Sequence, residues 1–302
     1  MVSFALSSRA LRIRARRGVV LSAGGFIYNR EMVKEFAPAY RPGMPLGTIG
    51  DSGEGIRLGQ SVGGATSRMD RVSAWRFINP PEAFTYGMLL NAKGERYVNE
   101  QLYGATIGEA MVERNDGVGI LVIDGELKKQ ARGQVGRGKT QWFQTAPALL
   151  NLWFNTKRGD TIEALARACK VPVDALKHTM RAYNETADGG GDDPFLKSAS
   201  GMKSLKPPYY AINCSVFSKR FPCPTLTLGG LVVDEQTGGV KRQDGSLIAG
   251  LYAAGRTAIG VCSQQYVSGL SIADCVYSGR RAGRALGVEA EVASVPEAAP
   301  RT

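Results

Sequence analysis

The sequence has little of what a metal centre requires. Its 302 residues include a single histidine, His178, and five cysteines, none of which form a C-x-x-C pair. Zinc sites are built from closely spaced cysteine and histidine ligands, so we expect no metal centre. An odd number of cysteines without disulfide spacing is typical of proteins from a reducing compartment, which predicts a cytoplasmic location.

Long hydrophobic runs are also lacking. No apolar run reaches the ~20 residues of a membrane-spanning helix, which predicts a soluble protein with no transmembrane segment. The first 17 residues contain no acid and are rich in serine and arginine. That composition is shared by transit peptides, but here it leads into a predicted strand without a linker.

Acidic residues are scarce relative to basic ones. There are 27 Asp and Glu against 38 Lys and Arg, a formal net charge of +11. The densest basic run comprises Arg9, Arg12, Arg14, Arg16 and Arg17. Because the charge is not gathered on one element, we interpret it as a solvated basic surface rather than a nucleic-acid site. Arginine also suits anionic ligands such as a pyrophosphate.

Hydrophobic periodicity predicts a mixture of strands and helices. The predicted strands are Gly18–Ala23, Trp75–Asn79, Thr85–Asn91, Gly119–Ile123, Leu231–Asp234 and Leu251–Ala254. The predicted helices are 30–37, Ile56–Val62, 161–185 with a second helix beginning after Pro172, and Ile272–Leu286. Residues 47–55 and 187–194 are glycine-rich loops, and residues 287–302 are predicted to be a disordered tail.

The most informative segment is Gly250–Gly283, in which a short strand ends at glycine and a loop leads to a helix starting near Gly269–Ser271. The amides of a first helical turn carry partial positive charge and can bind an anionic or carbonyl-rich ring. Gly255 and Gly269 allow the backbone to approach a flat ligand closely. On the residues alone, a plain strand-loop-helix crossover is an equally good interpretation.

This segment resembles the carboxy-terminal flavin-binding motif of the FAD-dependent fumarate reductase and 3-ketosteroid dehydrogenase superfamily. Its letters G-R-T-A-x-G…Y-V-S-G-L-S-x-A-D-C-V-x-S-G-R-R-A-G are similar to the 3-ketosteroid Δ4-(5α)-dehydrogenase branch. V-V-L-S-A-G-G-F (Val19–Phe26) and T-L-G-G-L-V-V-D (Thr227–Asp234) fit the same superfamily. The resemblance implies an oxidoreductase of CH–CH groups in steroid metabolism, with FAD as its cofactor. The residues it assigns to the cofactor are Ala23, Gly24, Gly25, Gly255, Arg256, Ser268, Gly269, Leu270 and Ser271.

The fold class implied by the resemblance is α+β. The chain would be the carboxy-terminal part of a two-domain flavoprotein, with an incomplete Rossmann-like FAD domain and an inserted α+β substrate domain. Residues 1–28 and 218–286 are assigned to the FAD domain and residues 29–217 to the substrate domain, also called the catalytic cap.

The pyrophosphate-binding fingerprint of the superfamily is missing before Val19. Members begin with a strand and a G-x-G-x-x-G/A turn that holds the FAD pyrophosphate, and this sequence contains no such turn there. We therefore expect a chain truncated at its amino terminus, with the missing FAD-binding half as a partner. The 302-residue chain alone is expected to bind FAD weakly or not at all.

Two tyrosines occupy positions where fumarate-reducing relatives carry arginines that hold substrate carboxylates. These are Tyr266, in Y-V-S-G, and Tyr103, shortly after the R-Y-V-N-E motif at residues 96–100. The exchange suits a neutral, hydrophobic ketone or steroid. A phenol, with an ordinary pKa of about 10, needs assistance to act as a base at neutral pH. The resemblance implies that Tyr266 removes the proton alpha to the carbonyl, assisted by Tyr103 and Ser268, while the flavin accepts a hydride.

Two other interpretations stay open. In the first, the chain is a catalytically silent remnant or a partner subunit that is unable to bind FAD alone. In the second, it is a basic binding module. Tyr86, Tyr209 and Tyr210 are weaker candidates for pocket walls, and His178 is interpreted as a solvated surface residue. The sequence identifies no electron acceptor.

Overall fold

The computed structural model describes residues 14–136, 139, 149 and 151–293. Part of the predicted tail, at 294–302, and two residues of the basic run, Arg9 and Arg12, lie outside this range. In the part of the chain that is described, no helix is both long and apolar enough to cross a membrane.

Short strands and helices are interspersed along the chain. The described strands are β1 (Val19–Leu21), β2 (Met44–Pro45), β3 (Thr66–Ser67), β4 (Val72–Ala74), β5 (Met88–Leu90), β6 (Ile120–Asp124), β7 (Thr156–Gly159), β8 (Tyr209–Asn213), β9 (Pro224–Thr227), β10 (Gly230–Leu231), β11 (Gly239–Lys241) and β12 (Leu247–Ala253). The described helices are α1 (Arg30–Phe36), α2 (Glu54–Ser61), α3 (Gly104–Arg114), α4 (Gly125–Gln134), α5 (Ile162–Cys169), α6 (Val173–Ala187) and α7 (Leu270–Ala293).

The two ends of the described chain meet in one sheet with the order β1-β12-β11. Strand β1 lies parallel to β12, with Leu21 opposite Ala253, and β11 is antiparallel to β12. Helix α7 packs against β12 and the turn after it, where the Gly255 amide donates to Ser278 Oγ at 2.9 Å. This pairing supports the division in which the first and last segments share a domain, and the domain boundaries stay a prediction.

The largest core lies between the antiparallel sheet β5-β6-β8-β7 and the helices around it. Fully buried Leu121 and Ile123 of β6 contribute to this core, together with Leu165 of α5 and Leu176 of α6. This core belongs to residues 29–217, the predicted substrate domain.

A smaller sheet, β2-β9-β4, connects these two parts, with α3 packed on β4. Helix α3 approaches β4 closely at Gly108, where a Cβ atom would overlap the carbonyl oxygen of Ala74. The packing of α3 on β4 sets the position of Tyr103, which directly precedes the helix.

Four sequence predictions are wrong in detail. The strand predicted at Leu231–Asp234 is reduced to β10, which ends at Leu231. Residues 75–79 form no strand: the amides of Trp75 and Arg76 donate to the carbonyls of Pro224 and Gly104, and prolines follow at 80 and 81. The strand predicted at 85–91 is reduced to β5, because Glu82–Tyr86 is a 3₁₀ helix. The tail begins later than predicted, since α7 continues to Ala293 through a segment in which Glu289, Ala290 and Glu291 favour a helix.

Candidate active site

Tyr266 and Tyr103 belong to one aromatic cluster, in which Tyr266 is buried and Tyr103 is half-buried. The ring of Tyr266 lies 4.7 Å from that of Trp75, measured between centroids, at an interplanar angle of 37°. Phe77 continues the row, at 5.9 Å from Trp75 and 5.3 Å from Tyr103, with edge-on geometry in both contacts. Phe77 and Trp75 thus link the two tyrosines that the sequence singled out. We refer to these four residues as the aromatic cluster.

Backbone contacts fix Tyr103 at the start of α3. Its carbonyl accepts from the Ile107 amide at 3.1 Å, and the next carbonyl, of Gly104, accepts from the Arg76 amide at 3.0 Å. Gly104 has no space for a side chain, because a Cβ atom would collide with the ring of Phe77. The phenol of Tyr103 is therefore held against Phe77 by the main chain on both sides.

Two polar atoms of the aromatic cluster have no partner in the described part of the protein. The Tyr103 hydroxyl and the Trp75 Nε1–H are buried and make no hydrogen bond there. An unsatisfied buried donor costs about 1–3 kcal/mol, so such groups in a folded protein call for an explanation. A bound molecule with a hydrogen-bonding group would explain why two such atoms lie in a single cluster.

The predicted cofactor residues near the sheet lie where β1 and β12 end. Because the two strands are parallel, Ala23 to Gly25 and Gly255 lie at the same edge. Ala23 is exposed and Gly24 and Gly255 are half-buried. Both of these glycines have left-handed backbone angles, with φ of 79° and 59°. The two loops are joined by a hydrogen bond from Thr257 Oγ1 to the Gly24 carbonyl at 3.0 Å.

Four of the remaining predicted cofactor residues, Ser268 to Ser271, lie at the amino terminus of α7, whereas Arg256 lies in the 3₁₀ turn after β12. The helix begins at Leu270, as predicted, and Ser268, Gly269 and Leu270 are exposed. Gly269 has φ of 88°, and a Cβ atom built on it would have no heavy atom within 4 Å. The Leu270 amide donates to the Val267 carbonyl at 3.1 Å, and the start of this long helix is an open surface with partial positive charge.

Asp51 is a residue of this region that sequence reasoning missed. Its buried carboxylate accepts from the amides of Gly25 and Thr48 at 3.0 and 2.9 Å, and from Arg256 Nη2 at 3.3 Å. A Cβ atom on Gly24 would overlap this carboxylate. Asp51 therefore joins the glycine-rich loop at 47–53 to the ends of β1 and β12. The only signal in the sequence was a lone acid among glycines.

These elements fit the flavin end of FAD. Glycines with left-handed angles at a parallel strand edge allow close approach of a flat ring system, and the exposed start of α7 presents amides to its carbonyl groups. Asp51 orients the guanidinium of Arg256, which the sequence analysis assigned to the cofactor, on the same edge. The residues present are therefore suited to hold the flavin.

The other candidates lie apart from the aromatic cluster. Tyr209 is buried in the core of the larger sheet, and Tyr86 and Tyr210 pack at its margin. His178 is exposed on α6, as the sequence predicted. Among the described residues, no group of three or more His, Cys, Asp or Glu side chains is placed to hold a metal ion.

We predict that replacing Asp51 by alanine destabilises the protein. Removal of the carboxylate leaves the buried amide of Gly25 without an acceptor, which costs about 1–3 kcal/mol of unfolding free energy. Urea unfolding measures the loss. Exposed Asp70 is a matched control, and its alanine variant is expected to stay within about 0.5 kcal/mol of the original protein. Equal losses in the two variants would contradict the role assigned to Asp51.

Comparison with known proteins gives consistent matches over most of the chain. A family described as "FAD binding domain" matches residues 1–269. The chain is 39% identical over 217 residues to the 3-oxo-5-alpha-steroid 4-dehydrogenase of Comamonas testosteroni, which covers 72% of this chain and 41% of that protein. It is 30% identical over 301 residues to the vinyl phenol reductase of Lactiplantibacillus plantarum, covering 88% of this chain and 59% of that protein.

A solved structure is similar over nearly the same range. The 3-ketosteroid-Δ4-(5α)-dehydrogenase from Rhodococcus jostii RHA1, in complex with 4-androstene-3,17-dione, superposes with a TM-score of 0.77 and 31% sequence identity. The match covers 90% of this chain and 53% of that chain. The chain thus spans between 41% and 59% of the length of these three proteins.

Proposed function

The chain belongs to the FAD-binding family, and from that membership we propose that it forms the substrate-binding and carboxy-terminal flavin-binding part of a flavin-dependent dehydrogenase. The superfamily, the α+β fold class and the FAD cofactor predicted from the sequence are confirmed by the family match and the relatives. The proposed substrate is a 3-ketosteroid or a similar hydrophobic ketone. Two of the similar proteins are named as dehydrogenases of such steroids, which supports this choice.

The observation that carries the proposal is the aromatic cluster with its unpartnered polar atoms. Tyr266 and Tyr103 pack among aromatic and aliphatic side chains, including Leu226 and Leu228, and such surroundings suit an apolar ring system. The buried hydroxyl of Tyr103 and the Trp75 Nε1–H are hydrogen-bond donors among these side chains. A ketone offers one polar oxygen on an otherwise apolar body, and the cluster matches that distribution of polarity.

In the proposed reaction, a carbon–carbon bond next to the ketone loses two hydrogens. Bound FAD supplies the acceptor for the hydride that leaves the beta carbon. Tyr266 takes the proton from the alpha carbon as that hydride leaves. Tyr103 assists as a hydrogen-bond donor, and exposed Ser268, two residues after Tyr266 and just before α7, passes the proton to solvent.

Replacing Tyr103 by phenylalanine is predicted to separate activity from stability. Turnover of a 3-ketosteroid should fall by about 10–100-fold, toward the lower end of the range for a general acid or base. The unfolding free energy should not fall, because the hydroxyl that is removed has no partner in the described protein. Steady-state turnover and urea unfolding measure the two effects. A parallel loss of both would show that the hydroxyl is structural.

Ser268→Ala is predicted to have the smallest effect of the three proposed catalytic positions. Ser268 is exposed, so water can replace its hydroxyl in a proton relay. We expect turnover to fall by less than about 10-fold, below the usual contribution of a general base. A loss larger than that of Tyr266→Phe would contradict this order of roles.

Substrate preference tests the proposed function. Activity is measured in a fusion in which the amino-terminal half of a relative precedes this chain, because the superfamily carries its pyrophosphate fingerprint in that half. We call this protein the FAD-loaded fusion. With an artificial electron acceptor, we expect turnover of a saturated 3-ketosteroid and none of succinate. Preference for the dicarboxylate would contradict the proposal.

A further inference from the structure

Four charged side chains form a buried cluster in the substrate domain. Arg96, Glu100, Asp193 and Lys197 are 6%, 0%, 1% and 0% exposed, and their formal charges cancel. We call these residues the ion cluster. The three ion pairs among these residues are removed from water, so surface ion pairs are no guide to the energetics of the cluster.

Glu100 is at the centre of the ion cluster. One of its carboxylate oxygens accepts from the Leu89 amide at 2.8 Å and from Arg96 Nε at 2.9 Å. The other accepts from Arg96 Nη2 at 2.8 Å and from Lys197 Nζ at 2.9 Å. Lys197 Nζ also donates to the Gly87 carbonyl at 2.8 Å. Each oxygen of Glu100 thus has two donors.

Asp193 completes the ion cluster from a loop that follows α6. It pairs with the guanidinium of Arg96 and accepts from the amides of Phe195 and Lys197 at 3.2 and 3.0 Å. The guanidinium of Arg96 lies near the rings of Tyr183 and Phe195, at 5.2 and 5.0 Å from their centroids. The segment before Tyr103 is thereby attached to the loop at 193–198.

Stability is a poor explanation for this arrangement. Burial lowers the pKa of Lys197, and the Glu100 carboxylate opposes that effect. Burial also acts to lower the pKa of Arg96, but Glu100 and Asp193 outweigh it, and the pKa of Arg96 is raised. Replacing a buried ion pair by apolar residues is often neutral or stabilising, so buried ions are better explained where they fix one conformation.

The segment that the ion cluster fixes is the one that leads to Tyr103. After Glu100, the side chain of Gln101 accepts from the Ser198 hydroxyl at 3.0 Å. Before it, the side-chain amide of Asn99 donates to the Leu196 carbonyl at 3.0 Å. Only two residues separate Glu100 from Tyr103. Hydrogen bonds to the 193–198 loop therefore hold this stretch on both sides of Glu100.

We propose that Glu100 and Lys197 are positioning residues for Tyr103, which keep its phenol in place within the aromatic cluster. The proposal rests on the proposed function for its catalytic consequence, but the positional effect is measurable without any activity. Neither residue touches substrate or flavin in this account. Each acts through the backbone of residues 99–103.

The test uses the double variant Glu100→Gln/Lys197→Met in the full 302-residue chain. It leaves Arg96 paired with Asp193 and removes the other two charges together, so no carboxylate is buried without a cation. Amide hydrogen exchange in peptides covering 97–105 is expected to accelerate at least about 10-fold, while peptides of α5 stay unchanged. Lys177→Met, which breaks the exposed ion pair with Glu163, is the matched control. It should change the exchange rate neither in peptides covering 97–105 nor in those of α5.

Turnover in the FAD-loaded fusion supplies the second readout. A displaced phenol is expected to lower kcat by about 10–100-fold and to change KM much less, because misplacement of about 1 Å can cost that much. Unchanged exchange at 97–105 would overturn the proposal. A kcat in the double variant that returns to the value of the original fusion, although Lys197→Met alone lowers it, would also overturn the proposal. In that case the two charges would contribute to stability and not to the position of Tyr103. If the original fusion fails to oxidise steroids but exchange accelerates as expected, the proposed function fails and the positioning role stands.

Discussion

Replacing Tyr266 by phenylalanine in the FAD-loaded fusion should lower 3-ketosteroid turnover by about 10²–10⁴-fold, the usual contribution of a general base. This corresponds to about 3–5 kcal/mol of activation free energy. The buried ring of Tyr266 packs against Trp75 in the aromatic cluster, and phenylalanine preserves that contact. The flavin absorbance and the unfolding midpoint should therefore stay as they are. Steady-state kinetics and the visible spectrum measure the two quantities.

A second tyrosine provides the control for this variant. Tyr277 lies on α7 and is 56% exposed, outside the aromatic cluster. Its phenylalanine variant should turn over steroid at the original rate. If Tyr266→Phe does so too, with proton removal shown to limit the rate, the base is another group, and Tyr103 becomes the leading candidate.

Replacing Gly108 by alanine should give the largest loss of stability among single-methyl changes near the site. A Cβ atom there overlaps the Ala74 carbonyl oxygen, which is backbone and has no freedom to move aside. Helix α3 must shift away from β4, at an expected cost of about 3 kcal/mol of unfolding free energy. Tyr103 directly precedes α3, so turnover should fall as well.

Gly133 offers the matched substitution in a neighbouring helix. It lies in α4, and a Cβ atom built on it has no heavy atom within 4 Å. Alanine there is expected to stabilise the protein by about 0.5–1 kcal/mol, since it favours the helix and restricts the unfolded chain. Urea unfolding of both variants gives the comparison. Destabilisation of similar size at the two glycines would contradict the close approach of α3 to β4.

The edge where β1 and β12 end, which is proposed to hold the flavin, was the part of the site most accessible to sequence reasoning. The segments that end β1 and β12 and begin α7 are short, glycine-marked and local, so their letters predicted both the strand ends and the helix start. The glycines mark this edge in the sequence, although Gly24 and Gly25 are also required by contacts with the distant side chains of Asp51 and Thr227. Tyr266 was singled out through the resemblance of Y-V-S-G to the superfamily motif, in which fumarate-reducing relatives carry an arginine near this position.

Features that depend on distant packing were harder to predict. Helix α3 was missed because Gly104 and Gly108 lower helix propensity, and both are required by contacts with Phe77 and Ala74. Asp51 joins β1 to Arg256, 205 residues away, and no local pattern records that contact. Trp75 was placed in a strand on its alternation, whereas its backbone pairs with Pro224 and its indole contacts Tyr266.

Anaerobic mixing of the FAD-loaded fusion with a saturated 3-ketosteroid tests the central claim most directly. The account predicts that the flavin absorbance bleaches as the unsaturated ketone appears, in equal amounts, and that bleaching is slower by about 10²-fold or more in Tyr266→Phe. Persistence of the oxidised flavin spectrum with the steroid in excess would contradict the account, and so would bleaching at the same rate in the original protein and Tyr266→Phe.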